Sequence, residues 1–482
     1  MSGYRLLPFR FLRFDDARTL AVNEAGEFLF VAHDDFARFV RRELSPNTDV
    51  YLDLKAKHFL FDSDSAVPFE LLATKIRTKK SFLGGFTSLH LFVVSLRCEH
   101  SCSYCQVSRV SSDRTRYDMS EETARRALDL VFRSPAPLLK IELQGGEPLL
   151  NFERVRQIIV DARERAERER RAIEFVVTTN LALLDDAMLA FFREYGVCLS
   201  TSLDGPAALH DANRPRPGND SHARTLDGVR RAREALGPDR VAALMTTTRA
   251  SLQMPEEIVD EYVRHGFTSI FLRPLSPYGF ALRSARANGY TTREFLDFYV
   301  RALDRIIAIN AAGTRLVESY AQLLLTRMLT PFATGYVDLQ SPAGAGIGAV
   351  VYNYDGDVYA SDEARMLAEM HDRRFLLGNA HRDRYETIFG GATLRTIVES
   401  SVAESILGCA DCAFLPWCGA DPVYHYATTG DLVPHVPTSA FHEKNFFLIR
   451  HLLSLLERDT TARDVFWSWL REEAVPLQAE VA

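Results

Sequence analysis

Positive charge is in short supply: 57 Lys and Arg face 64 Asp and Glu, for a formal net charge of −7. That balance argues against a surface built for nucleic acid and leaves room only for local basic patches. Long apolar runs are missing as well, since no stretch approaches the roughly 20 apolar residues a membrane span requires. The N-terminus carries arginines but no continuous apolar core and no small-residue cleavage site, so no signal peptide is expected. Cysteine is scarce, 7 in 482 residues, and falls as two triplets and a singleton: Cys98, Cys102 and Cys105; Cys409, Cys412 and Cys418; and Cys198. Clustered thiols suit metal sites in a reducing compartment better than a disulfide framework, which points to the cytoplasm. What is abundant is ordinary. Apolar residues make up 47% and charged residues 25%, as in a globular protein, and the length suggests two or three domains.

The first triplet follows the apolar run from Leu89 to Leu96, which reads as a buried strand, so the three thiols sit on the loop leaving its C-terminal end. Four thiolates would close a tetrahedral zinc site, with His100 available as a fourth ligand; three leave a position open. Thiolates are equally what an iron–sulfur cluster needs. From Leu91 to about residue 275 strands and helices alternate. The strands are expected at 91–96, 139–143, 173–178, 197–202, 242–247 and 269–272, and the helices at 120–133, 152–171, 185–195, 221–236 and 255–265. This alternation predicts an α/β fold, a parallel sheet with right-handed crossovers forming a partial (β/α)6 barrel, with reactive groups on the loops after the strands. Cys198 lies within a strand and reads as a small buried apolar residue. The mixed charges of 161–171 read as a solvated helix face.

Cys98-x3-Cys102-x2-Cys105, with Tyr104 before the last cysteine, resembles the signature of the radical S-adenosylmethionine (SAM) enzymes. In that family a [4Fe–4S] cluster on the three cysteines leaves one iron to chelate SAM, and an electron cleaves SAM to a 5′-deoxyadenosyl radical. The resemblance extends along the barrel. Gly145, Gly146 and Glu147 match the segment that binds the SAM amino group, and Thr179 and Asn180 end the third strand at the same rim. Ser202 and Arg214, in a Ser-x-Asp-Gly-Pro…Arg pattern, match the contacts to the SAM ribose or carboxylate region, and Arg273 falls near the adenine-contacting segment.

Beyond the barrel, residues 290–330 read as long helices. The turn Tyr354–Asp357 then joins two strand-like runs into a hairpin that resembles the opening of the auxiliary-cluster (SPASM) domain. Where that domain has cysteines, this chain has Pro342 or Ala343, and Ser361, so its first auxiliary cluster is not expected. Cys409, Cys412 and Cys418 match the Cys-x2-Cys-x5-Cys of its second half, but the next cysteine is replaced by Pro422. Three readings stand for this triplet: an auxiliary [4Fe–4S] cluster, a zinc site with His425, His435 or His442, or a metal-free loop. Asp362 occupies the place of a proton-accepting aspartate in the resembled sulfatase-maturing enzymes, where a partly buried carboxylate suits a general base.

The resemblance therefore implies four segments. Residues 1–85 form a winged-helix-like module, a candidate for leader-peptide recognition, and 86–285 the radical SAM partial barrel; 286–340 form a helical linker and 341–482 a SPASM-like domain with a reduced cysteine set. Within the N-terminal segment a hairpin is expected around Gly26, a helix from Phe36 to Glu43 capped by Asp34 or Asp35, partial strand-like alternation over 51–61, and a helix over 68–79. The layout is similar to the His-Xaa-Ser system maturases. It implies hydrogen abstraction from a ribosomally made precursor peptide, followed by a crosslink, with a flavodoxin- or ferredoxin-type electron donor and a possible second maturase as partners. Two alternatives are a formylglycine-type sulfatase maturase and a catalytically idle scaffold.

Overall fold

The computed structural model describes residues 3–106 and 113–471. The chain opens with β1 (Arg5–Leu6), followed by an antiparallel sheet of β2 (Phe9–Arg13), β3 (Arg18–Asn23) and β4 (Phe28–Ala32), in that order. The expected hairpin is β3–β4, turning at Gly26 with φ 81°; β2 is an additional strand. Alternation along β3 serves two cores: Ala21 joins Phe39, Leu54 and Phe59 in a small local cluster, whereas Leu20 and Val22 face the main core. Two expectations need correction. Asp34 and Asp35 lie inside the helix His33–Arg41 rather than capping it, and they complement the positive end of its dipole. The 51–61 stretch begins with the helix Asp49–Ala56, because Tyr51 and Leu54 bury at helical spacing; only β5 (Leu60–Phe61), paired with β1, is extended.

The six expected barrel strands form. β6 (Leu89–Ser95) is buried along its whole length, and β7 (Leu138–Gly145), β8 (Ala172–Thr178), β9 (Cys198–Ser202) and β10 (Val241–Thr246) follow it in parallel. The sixth run splits: β11 (Ser269–Ile270) pairs with β13 (Val317–Glu318), and β12 (Leu272–Arg273) pairs with β10. Two of the intervening helices start at a side-chain cap: Ser120 Oγ accepts the Thr123 amide at 3.0 Å and Asp185 accepts the Met188 amide at 2.8 Å.

The barrel is not closed. The outer edge of β6 takes up β14 (Ala349–Tyr352) in parallel, and β15 (Asp357–Tyr359) and β16 (Leu376–Asn379) continue antiparallel. The result is one mixed sheet of nine strands, ordered β12-β10-β9-β8-β7-β6-β14-β15-β16. The hairpin read at 349–361 is thus a continuation of the barrel sheet, which its four fully buried residues Ala349–Tyr352 require. Helices Thr292–Ala311, Ser319–Leu329, Ala440–Arg458 and Thr460–Arg471 pack beside the last barrel strands, and one hydrophobic core runs from Phe14 to Trp469. Among the described residues no helix is long and apolar enough to cross a membrane.

Candidate active site

Alternation along the barrel strands builds the site. On β7, Leu139, Ile141 and Leu143 are fully buried on one side, while Glu142 and Gln144 face a cavity of about 200 Å³ on the other. Thr178 from β8, Ser200 and Ser202 from β9, and Leu244 and Thr246 from β10 line the same space. Cys98, Cys102 and Cys105 stand at its rim, with Tyr104, Gly145, Gly146, Thr179, Asn180, Arg214, Arg273 and Asp362. Of the residues read from sequence for the barrel site, all but Glu147 line this one cavity.

The cysteine loop is held from three sides. Arg97 donates to Asp118 from Nε and Nη2, both at 2.7 Å, anchoring the strand end. The Ser101 and Ser103 amides donate to the carbonyls of Pro215 and Asn213, and the Phe280 amide donates to the Cys105 carbonyl. The third side is the glycine pair. A Cβ on Gly145 would stand 2.0 Å from the Ser95 carbonyl oxygen and one on Gly146 2.3 Å from that of Arg97. The backbone that these glycines admit is that of the cysteine loop itself.

Glu147 is engaged within the protein. Its carboxyl is 1% exposed and accepts from the Thr179 hydroxyl at 2.6 Å and from the Asn180 and Leu149 amides at 2.9 and 3.0 Å. It fastens the β7 loop to the β8 loop. Burial, with the neighbouring Glu99 charge, pushes its pKa up to about 8. Arg214 is likewise engaged within the protein. It forms a two-point pair with Asp204, Nε to Oδ2 at 3.0 Å and Nη2 to Oδ1 at 3.1 Å, and lies 5.3 Å from the centroid of the Tyr104 ring. The Tyr104 hydroxyl donates to the same carboxylate at 2.7 Å, and Asn213 and the Thr246 amide donate to it at 3.2 and 3.3 Å. Burial raises the pKa of Asp204, but Arg214, His210 and the Tyr104 hydroxyl together hold the carboxyl below the usual range.

Asp362 opens the helix Asp362–Glu369, separated from β15 by two residues, and pairs with the buried Arg365 at 2.9 Å. Ser361, at the position of a family cysteine, caps this helix by accepting the Ala364 amide at 3.2 Å. The sequence reading missed Glu142. It is 4% exposed and accepts the Thr178 hydroxyl at 2.8 Å, and burial pushes its pKa up to about 7, with Asp362 raising it further and Arg273 opposing. The available signal was polarity at every second position of an interior strand, where apolar residues are the norm.

The donors present fit a cationic iron–sulfur cluster and a polar ligand. Burial pushes the Cys102 thiol up to about 11 and the Cys98 thiol higher still, so something positively charged must hold them as thiolates. The Gln144 amide nitrogen faces the cavity, is buried and has no hydrogen-bond partner. His100 is already engaged, Nε2 to Ser221 at 2.9 Å and Nδ1 to Glu99 at 3.0 Å. In the second triplet, Cys412 and Cys418 pack against the main core beside the buried Trp417. Among the described residues, the groups whose ligand atoms lie within 4.8 Å of one another are Cys98–Glu99–His100 and His222–Glu261–His265. Neither cysteine triplet is such a group, whereas the sulfurs of one zinc ion, at Zn–S of about 2.3 Å, stand closer than that. Of the histidines considered for the second triplet, His425 is 2% exposed, and His435 is bonded to the Thr438 hydroxyl at 2.9 Å.

Comparison with known proteins agrees with this geometry. The Radical SAM superfamily matches residues 92–262. An uncharacterised protein of Methanothermobacter thermautotrophicus is 30% identical over 221 residues, 45% of this chain and 79% of the relative. A serine-type anaerobic sulfatase-maturating enzyme of Bacteroides thetaiotaomicron is 27% identical over 139 residues, 28% of this chain and 33% of that enzyme. Among solved structures, the enzyme anSMEcpe with bound AdoMet and Cp18Cys peptide superposes with a TM-score of 0.63 at 16% identity, over 79% of this chain and 99% of that one, a likeness of fold. The cysteine loop at the barrel rim, the polar strand interior and these matches together place the chain in the radical SAM superfamily, as an enzyme that uses a [4Fe–4S] cluster and SAM.

Proposed function

We propose that this enzyme is a maturase that abstracts hydrogen from a ribosomally synthesised precursor peptide and installs a crosslink. One observation carries the reading: the cofactor-side residues Cys98, Cys102, Cys105, Ser202 and Arg214 share a single cavity with two substrate-side carboxyls, Glu142 and Asp362. When bound, the cluster supplies the electron that cleaves SAM and so the radical that takes a substrate hydrogen. The protein's own part is to hold and orient. Cys98, Cys102 and Cys105 hold the cluster. The unpaired Gln144 amide, Ser202, Thr179 and Asn180 offer polar contacts to SAM, and Arg273 bounds the far side. Arg214, locked by Asp204, sets the Tyr104 ring and the field at the rim. Asp362 takes the proton released when the substrate loses its second electron, and Glu142 stands by as a neighbouring acceptor.

In the same reading the 1–85 module, whose sheet has β2 and β4 as its outer strands, binds leader peptide by strand addition. Cys409, Cys412 and Cys418 would hold an auxiliary cluster, which would supply an acceptor for the second electron, and a flavodoxin- or ferredoxin-type partner donates the electron that SAM cleavage needs.

The test is anaerobic reconstitution with SAM and dithionite, alone and with a short peptide encoded beside this gene. Cys102→Ala is expected to abolish 5′-deoxyadenosine formation. Asp362→Asn is expected to keep it while lowering peptide product at least tenfold, read by mass spectrometry as loss of two hydrogens. Full peptide turnover in Asp362→Asn would remove that residue from the mechanism. A second reading, a sulfatase maturase, is favoured by the position of Asp362 at the helix start that follows the β14–β15 hairpin. Conversion of a sulfatase-derived serine or cysteine peptide, with the neighbouring peptide left unchanged, would select it.

A further inference from the structure

A second cavity, of about 230 Å³, opens beside the first, between the end of β12 and the helices Thr292–Ala311 and Ala440–Arg458. Arg273 lines both. Three carboxyls face this space: Asp338, Glu363 (next to Asp362) and Asp421. Among the described residues lining it, two cations oppose them. Arg273 Nη2 stands 3.8 Å from Glu363, and Lys444 Nζ lies 4.7 Å from the centroid of the Tyr320 ring. Three potential negative charges thus face two positive ones in a site walled largely by tyrosine.

Burial raises the pKa of all three acids. Mutual repulsion adds to this for Glu363 and Asp421, whereas Lys444 and Arg273 oppose it at Asp338. Such a site is short of positive charge, and a further cation would settle it. An independent feature points the same way. Tyr278 is 1% exposed and lines the cavity, and its hydroxyl has no hydrogen-bond partner. Tyr278 lines the cavity together with the three acids. A buried hydroxyl left unpaired is destabilising, and a bound donor or acceptor would offset that cost. Aromatic walls favour an organic cation with an apolar stem over a small hydrated metal ion, because ring faces attract cations and the stem buries apolar surface.

We infer that this cavity is a subsite for a cationic side chain of the substrate, an ammonium or guanidinium on an aliphatic stem, held among Asp338, Glu363 and Asp421 next to the reaction cavity. The inference rests on the peptide reading for the source of that side chain. It explains why Glu363 and Asp362 are adjacent: one helix start presents a carboxyl to each cavity, so the residue attacked and its cationic neighbour are set in register. Free polyamines share the chemistry but lack the peptide backbone.

Calorimetric titration of the reconstituted full-length enzyme separates these cases without turnover. The probes are Nα-acetyl-lysine amide, its uncharged isostere Nα-acetyl-norleucine amide, and spermidine. The lysine probe is expected to saturate and to bind at least tenfold more tightly than the norleucine probe. Asp421→Asn, which keeps an acceptor for the Tyr424 amide at the start of the helix Pro422–Thr429, and Asp338→Asn should each weaken it at least tenfold, with thermal midpoints confirming the fold. Equal binding of the two amides, no saturation by either, or tighter binding of spermidine than of the lysine probe would overturn the assignment. Lysine-selective binding in an enzyme that modifies no peptide would keep the subsite and refute the maturase reading. Peptide modification without charge selectivity would do the reverse.

Discussion

Asp204 is the residue on which the cavity wall depends. It is fully buried, yet it serves Tyr104, Asn213, Arg214 and the Thr246 amide together. Its charge is stabilised by Arg214, and removing one partner of such a pair strands the other. Asp204→Ala is therefore expected to cost about 3–5 kcal/mol in unfolding free energy, with Asp204→Asn milder because it keeps an acceptor. Denaturant unfolding measures the difference, and SAM titration should show weaker binding in both variants as Tyr104 and Arg214 lose their anchor. An undiminished stability in Asp204→Ala would mean that Arg214 had found another partner. From sequence, the Asp-Gly-Pro stretch reads equally well as an ordinary turn. Only the fold shows that its carboxyl faces inward.

At the level of elements, the close approach of β6 and β7 decides where the cysteines sit. The Gly146 amide donates to the Ser95 carbonyl and the Glu147 amide to that of Arg97, both at 2.7 Å, so the two loops leave the sheet as one unit. Gly146→Ala would drive a methyl group into the Arg97 carbonyl and push the Cys98 loop outward. The expected outcome is an enzyme with native helix content by circular dichroism but markedly less iron after reconstitution. Normal iron loading would show that the loop tolerates the shift. The strands and helices of this region were legible because short apolar runs alternate with longer helix-like stretches between residues 89 and 273, and Ser120 and Asp185 mark two of the helix starts. Less legible was the 51–61 stretch, where a helix of Asp49–Ala56 carries two buried residues and little amphipathic contrast. The hairpin β14–β15 was legible as a hairpin but not as an extension of β6, since strand pairing across some 250 residues leaves no local trace.

Across the whole molecule, one core joins segments that the sequence separates. Trp417, in the second cysteine loop, donates from Nε1 to the Gly26 carbonyl at 3.1 Å and meets Phe28 edge-on, docking the N-terminal sheet against that loop. Buried acids add a pH dependence to this core. Glu318 is fully buried, accepts from the Tyr299 hydroxyl and the Ala321 amide, and is pushed by burial up to about 7. A carboxyl whose pKa rises on folding binds more protons in the native state. Its contribution is therefore complete below its unfolded value and is lost as pH rises through about 7. For Glu318 this amounts to up to about 3 kcal/mol. Stability is expected to fall between about pH 5 and pH 8 and to fall less in Glu318→Gln, as compared by thermal unfolding at both values. Parallel curves for the two proteins would exclude Glu318 as a source.

The sequence by itself determined the strand–helix alternation, the three-cysteine loop and the inventory of polar groups around it, because periodicity and spacing are local properties written in consecutive residues. Tertiary structure decided which of those groups face the cavity and which are consumed holding it together. Glu147 turned out to be bound to the protein's own groups and away from the cavity, and Arg214 lines the cavity while paired with Asp204, whereas Glu142, Gln144 and the acids of the second cavity face open space. That division depends on which side of a strand points inward and on what arrives opposite it from distant parts of the chain, and neither is encoded in any short stretch.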